Sequence, residues 1–233
     1  MTGARLVAGT ARPRQGYRTM AEFALEELRS AIILGELEPG SPLRLDELAR
    51  SLGMSISPIR EAVRQLEALG LATHVPHQGA KVVPIDVDEL RDLFTVRLVL
   101  ESEAVRRAAA SFTDEDATLA SAQLAASDLA RESDDVREAL AAHTEFHFAI
   151  YGACRSPWLV RLIRPAWESS ARFRPVLFAS DGDLQQRHRA FDGELLRACS
   201  AHDADGAAAA LRGHLELANE YFAPELAGRS IFN

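Results

Sequence analysis

Cysteine is nearly absent from this chain: Cys154 and Cys199 are the only two in 233 residues. Two thiols build no disulfide framework, and a reducing cytoplasm is the expected compartment. Long apolar runs are missing as well. No stretch reaches the roughly 18 consecutive apolar residues that a membrane span requires, so no membrane partner is expected. Residues 1–17 carry Arg5, Arg12 and Arg14 but no contiguous apolar segment or cleavage site, and read as a loose tail rather than a signal peptide. There is no repeat of 20–50 residues, no glycine-rich phosphate loop, no nucleophile elbow and no CxxC pair. These absences leave few routes to an enzyme.

What is present is a globular composition, 47% apolar and 26% charged. The net charge of −8 hides an asymmetry. Residues 1–82 hold 10 basic and 9 acidic side chains, whereas residues 83–233 hold 16 and 25. A near-neutral, arginine-using front and an acidic back suit a small DNA reader joined to a module that does not touch DNA.

The front half reads as three helices and a hairpin. Thr19-x-x-Glu22 is a capping box, followed at helical spacing by Ala21, Leu25, Leu28 and Ile32 up to Gly35. After the turn Glu38-Pro39-Gly40-Ser41-Pro42, a short helix turns Leu45, Leu48, Ala49 and Leu52 inward and stops at Gly53. Ser57 is expected to cap a third helix with Pro58 at its first position; that helix buries Ile59, Ala62, Val63, Leu66 and Leu69. Two short strands, Leu71–Val75 and Ala80–Val83, flank Pro76-His77-Gln78-Gly79. The expectation is a winged helix-turn-helix over residues 18–84.

A recognition helix buries one face and offers the other to the major groove. Ser55, Ile56, Ser57, Arg60 and Arg64 fall on the outward stripe of the third helix. Arginine can fork to guanine or grip phosphate, and hydroxyls at a helix start suit phosphate. Taken alone, the stripe fits an ordinary solvated helix face equally well. The order of motifs is more telling. From Ala24 to Val83 the chain resembles the GntR family. Gly35-Glu36-Leu37-Glu38-Pro39-Gly40 and Leu45-Asp46-Glu47-Leu48-Ala49 carry the likeness, followed by Ser55-Ile56-Ser57-Pro58-Ile59-Arg60-Glu61-Ala62, Leu66-Glu67-Ala68-Leu69-Gly70-Leu71 and the glycine-tipped wing. The resemblance implies that Arg60 contacts operator DNA and that the wing tip, His77-Gln78-Gly79, enters the minor groove. Glu61 is expected to be structural, paired with a helix end or the first helix. Two positions depart from the family: it commonly has arginine where this chain has Ile56, and a basic residue near Asp46. Isoleucine cannot hydrogen-bond a base and offers only contact with a thymine methyl, so no operator sequence carries over.

Beyond Asp86 the periodicity is helical throughout, with helices expected near 87–110, 114–131, 134–153, 157–179, 183–200 and 204–222. Asp86, Thr113, Asp134, Ser156, Asp181 and Asp203 stand at their starts as caps, and Pro165 falls inside the fourth. The fold class is therefore mainly α: an N-terminal winged helix-turn-helix followed by an all-α bundle over residues 85–225.

His143 and His147 stand four apart, on one helix face, a spacing that lets two imidazoles meet one metal ion. His188 and His214 lie on two later helices and could reach a common centre. Spacing alone leaves open surface or core histidines without a ligand. The C-terminal part resembles the FCD effector domain of FadR-like GntR regulators. Arg97-x-x-x-Glu101, Glu145-Phe146-His147, His188 and the run from Ala208 through His214-Leu215 carry that likeness. It implies a divalent metal site with His147, His188 and His214 as ligands and His143 where the family has an aspartate. Four neutral imidazoles would leave the ion its full +2 charge, draw an anionic effector and favour Zn²⁺ or Ni²⁺ over Mn²⁺. Arg97 is either a second, forked anchor for a carboxylate effector or an i,i+4 partner of Glu101. His202 reads as a solvated helix cap, and Asn219 lies too far round its helix to join the site.

The resulting expectation is a homodimeric, cytoplasmic transcription regulator that binds double-stranded operator DNA and answers to a small organic acid. A metallohydrolase is the enzymatic alternative, but it needs glutamate directly after the first histidine, where Thr144 stands. A helical protein-interaction module is the other alternative.

Overall fold

The computed structural model describes residues 19–84, 86–133, 135–170, 182–222, 226 and 228–232. The expected tail over 1–17, the caps at Asp134 and Asp181 and the stretch 171–179 of the fourth bundle helix lie outside them. The chain forms two compact units, divided just before Asp86.

The first unit opens with α1 (Met20–Ile33). Its capping box is reciprocal: Glu22 N–H donates to Thr19 Oγ1 at 3.1 Å, and Thr19 N–H to Glu22 Oε2 at 3.2 Å. The helix α2 (Leu45–Leu52) ends on Gly53, whose φ of 64° is left-handed and accessible to glycine without a Cβ penalty. Helix α3 spans Ile56–Ala68, with Ser55 as N-cap. It starts two residues earlier than its sequence suggests. Pro58 is the third helical residue rather than the first, which costs nothing because the first four amide hydrogens of a helix have no internal acceptor. Strands β1 (Ala72–Val75) and β2 (Gly79–Val82) pair antiparallel, Ala72 opposite Val82 and Val75 opposite Gly79.

The turn before α2 extends this hairpin. Val82 N–H donates to the Ser41 carbonyl at 2.9 Å and Leu43 N–H to the Ala80 carbonyl at 2.8 Å. The segment 41–43 thus runs beside β2 as a third, short strand-like edge. Ala24, Leu28, Leu37, Leu48, Ile59, Leu66, Leu71 and Val82 form one apolar core under these elements.

The second unit is helical among its described residues. Helix α4 (Val87–Ser111) is capped by Asp86, and α5 (Asp114–Glu132) by Thr113 in a capping box with Asp116. The cap of α6 (Val136–Gly152) is Asp135, one residue beyond the expected Asp134. Next comes α7 (Pro157–Ser170), which contains Pro165. Helix α8 covers Gly182–Ser200, and α9 (Ala204–Glu216) is capped by Asp203. A break at Leu217 separates α9 from the single turn α10 (Ala218–Tyr221), where the sequence suggested one continuous helix.

Helix α6 packs on α5, and α9 packs on both α4 and α8. Close approach of α9 to α8 depends on Gly213, because a Cβ there would overlap the Phe191 ring. Ala207, Ala210 and Leu211 are buried along the same helix. No described helix is long and apolar enough to cross a membrane.

Candidate functional site

Three helices bring their polar side chains to one interior point. His143 and His147 occupy one face of α6. Asp192 on α8 and His214 on α9 meet them, so that one donor atom from each of the four lies within 4.8 Å of the others. Asp192 Oδ2 is 3.3 Å from His143 Nε2; Asp192 Oδ1 is 3.3 Å from His147 Nε2 and 2.9 Å from His214 Nδ1. The two α6 imidazoles approach to 3.2 Å, Nε2 to Nε2. None of the four residues is more than 8% exposed.

These donors fit a metal ion. Bonds of about 2.1 Å place neighbouring ligand atoms about 3.0 Å apart at right angles and about 3.4 Å apart in a tetrahedron; the four contacts above, 2.9–3.3 Å, fall around that range, within a donor set that spans up to 4.8 Å. Asp192 Oδ1 and His214 Nδ1 are fully buried and make no hydrogen bond, even to each other. Such orphaned atoms are rare in a folded interior and are accounted for by a cation between them.

Protonation states agree. Burial drives the His143 imidazolium down to about 3, against the opposing pull of Asp192. It also lowers His147, and His188 well below the usual range. Burial works the other way on Asp192, but His214 and His143 beside it outweigh it, holding the carboxyl well below its ordinary value. His143 and His147 are therefore neutral imidazoles beside an ionised carboxylate, the forms that bind a cation.

The sequence reasoning missed Asp192. Its signal was there: Asp192 follows His188 by four residues on α8, the same spacing as His143 and His147 on α6. The fourth expected ligand, His188, stands at the rim of the cluster, Nδ1 3.7 Å from Asp192 Oδ2 and its ring 4.1 Å from that of His214. Asp192 also corrects the charge argument. One carboxylate would leave a divalent ion a formal +1, not +2, and the carboxylate that the family has at the position of His143 is offered here by α8.

Arg97 lies beside the cluster, with its guanidinium largely engaged. Nε donates to Glu101 Oε1 at 2.7 Å, Nη2 to Glu101 Oε2 at 3.3 Å and Nη1 to Ser170 Oγ at 3.1 Å. It lies 4.7 Å from the ring of Trp167, which in turn is 4.9 Å from the ring of His147. Of the residues set apart, His202 donates from Nδ1 to the Ala109 carbonyl at 2.8 Å. Asn219 Oδ1 accepts from Ile231 N–H at 2.6 Å.

The expected DNA-reading residues share the surface of the first unit. Ser55, Ile56, Ser57, Arg60 and Arg64 are exposed along α3, and His77, Gln78 and Gly79 at the wing tip. His77 and Gly79 both have left-handed backbones, φ 64° and 84°. A groove of about 890 Å³ runs between α2, α3 and the wing, lined by Arg44, Arg50, Ile56, Arg60, Arg64 and Gln78 among others. Ser55 is exposed and makes no capping hydrogen bond. Glu61 is exposed, and no ion pair to it forms among the described residues, so the structural role expected for it is not seen.

Residues 20–82 match the family of bacterial regulatory proteins, gntR family, and residues 92–217 match the FCD domain. The chain belongs to the GntR family. Like other GntR proteins with an FCD domain, it is a DNA-binding transcriptional regulator and not an enzyme. This GntR protein is 28% identical over 213 residues to the HTH-type regulator BphR of Paraburkholderia xenovorans, covering 88% of this chain and 85% of BphR. It is 32% identical over 156 residues to the repressor GlaR of Escherichia coli, covering 63% of this chain and 69% of GlaR. The structure of E. coli McbR/YncC superposes with a TM-score of 0.75 at 25% identity, over 90% of this chain and 99% of that one.

Proposed function

We propose that this regulator binds a two-fold-related operator as a homodimer, and that a small organic acid bound at a divalent metal ion sets its affinity for DNA. The carrying observation is the buried donor set His143, His147, Asp192 and His214, with ligand-like edges and two orphaned atoms. Three imidazoles and one carboxylate favour a borderline transition ion such as Zn²⁺ or Ni²⁺. When bound, the ion supplies a positive contact for a carboxylate. Arg97 is the second contact: among the described residues it makes three hydrogen bonds, which leaves two of the five guanidinium hydrogens for an acid. Because Glu101 neutralises its charge, attraction for the acid rests mainly on the ion.

The reader is the surface of residues 18–84, the sensor residues 85–225. Arg60 and Arg64 address the major groove, Ser55 and Ser57 the phosphates, and His77, Gln78 and Gly79 the minor groove. Ile56 takes a thymine methyl. One short helix covers too few base pairs for useful specificity, which is the reason for a dimer. Operator DNA and two buried free thiols both fit the cytoplasm.

The test is metal content and coupling. Protein purified without chelator is expected to hold close to one divalent ion per chain, and Asp192→Asn to lose it together with the thermal shift that Zn²⁺ or Ni²⁺ confers. An acid that binds the loaded protein must change operator affinity, and operator DNA must change acid affinity by the same factor. Wild-type protein that takes up no ion, or operator affinity indifferent to every acid bound, overturns the reading.

A further inference from the structure

His147 meets the cluster through Nε2 and has its other nitrogen turned to a partner outside it. Nδ1 is 3.2 Å from Tyr151 Oη. Tyr151 Oη lies in turn 2.6 Å from Glu101 Oε2, and Glu101 is the carboxylate gripped by Arg97. All four side chains are buried, Glu101, His147 and Tyr151 completely so.

The direction of each bond follows from proton counting. The Glu101 carboxylate, held by two N–H groups of Arg97, is an acceptor only. Tyr151 has a single hydroxyl hydrogen, and the 2.6 Å contact assigns it to Glu101. The hydroxyl oxygen then has only lone pairs for His147, so a hydrogen bond across that contact requires the hydrogen on Nδ1. A neutral imidazole protonated at Nδ1 has a bare lone pair on Nε2, the atom that faces Asp192 and His143.

We propose that the relay Arg97–Glu101–Tyr151 fixes the tautomer of His147, with Tyr151 and Glu101 as positioning residues that keep its Nε2 lone pair open to a divalent cation. The importance of that lone pair rests on the metal reading above; the tautomer itself does not. Partners behind a ligand histidine commonly govern metal affinity by about 10- to 100-fold. Here the partner reaches back to α4, so α4 and α6 share a single chain of polar contacts that ends at the site.

Glu101→Gln is the discriminating variant. Its amide oxygen stays with Arg97 Nε, and its NH₂ takes the place of Oε2 and donates to Tyr151. The hydroxyl must then turn and donate to Nδ1 of His147, which moves the imidazole hydrogen to Nε2 and points it into the site. ¹⁵N NMR of imidazole-labelled, metal-free protein reads this directly. Wild type is expected to show His147 protonated at Nδ1, and Glu101→Gln at Nε2. Titration with Zn²⁺ against a chromophoric chelator should show affinity lower by about 10- to 100-fold in Glu101→Gln and in Tyr151→Phe, the second retaining the ring packing. Wild-type His147 protonated at Nε2 overturns the proposal. So does an unchanged tautomer in Glu101→Gln, or undiminished Zn²⁺ affinity in both variants. If wild type binds no metal, the metal reading falls and the NMR still decides the tautomer.

Discussion

The two units handle polarity in opposite ways. From α1 to β2 the core is apolar, and Ser30 is the single buried polar side chain among the described residues there. Arg44, Arg50, Arg60 and Arg64 are carried outside, on α3 and around the groove. From α4 onward the interior holds Arg97, Glu101, His143, His147, His188, Asp192 and His214. Burying ionisable groups is costly unless each is paired or given a ligand, and a unit that only had to be stable would do better with apolar residues. The contrast matches the roles proposed above: one unit would meet DNA on its surface, the other would enclose a metal ion.

Acid is the strongest probe of that contrast. Unfolded, His143 takes up a proton near 6.5; folded, only near 3. Between those values the unfolded chain binds the proton and the native protein does not, so stability is complete above about pH 6.5 and falls as pH falls toward 3. His147 and His188 shift the same way. Urea unfolding of chelator-treated protein at pH 7, 5.5 and 4 should show this decline, with a shallower slope in His143→Gln. A flat profile would mean the cluster is not buried as described.

Packing provides the next probe. Gly213→Ala places a methyl against Phe191 and should destabilise the protein by about 1–3 kcal/mol, with weaker metal uptake because α9 carries His214. Differential scanning calorimetry with and without Zn²⁺ reads both effects.

Arg60→Ala should leave folding nearly untouched, within about 0.5 kcal/mol, because the side chain is exposed. Its cost should appear in operator binding, about 1–3 kcal/mol if it reads a base. Fluorescence anisotropy on operator and on random DNA would show it. Equal loss on both would assign Arg60 to phosphate instead.

Much of this architecture could be read from local chemistry. Thr19 with Glu22, Asp86, Thr113 and Asp203 cap the helices they were expected to cap, because a cap is decided within four residues. The start of α3 was misplaced because Pro58 is tolerated anywhere in a first turn. The edge formed by residues 41–43 escaped notice because its partner, β2, lies about forty residues away. The candidate site divides along the same line. His143 and His147 stood out because they are local to one helix. Asp192 did not, since its spacing of four from His188 marks a shared face but not burial until α6 and α9 close on it. Glu101 and Tyr151 are fifty residues apart and meet only through the packing of α4 on α6.

The contact of α9 with α8 has a further side. Phe191 and Gly213 occupy complementary volumes, so position 213 is not free to gain a side chain before 191 gives way. Over generations a methyl can settle at 213 only in lineages that have already trimmed 191, and a larger ring can settle at 191 only where 213 has stayed bare. These two neutral-looking positions inherit the constraint of Asp192 and His214 beside them, and they should drift as a pair.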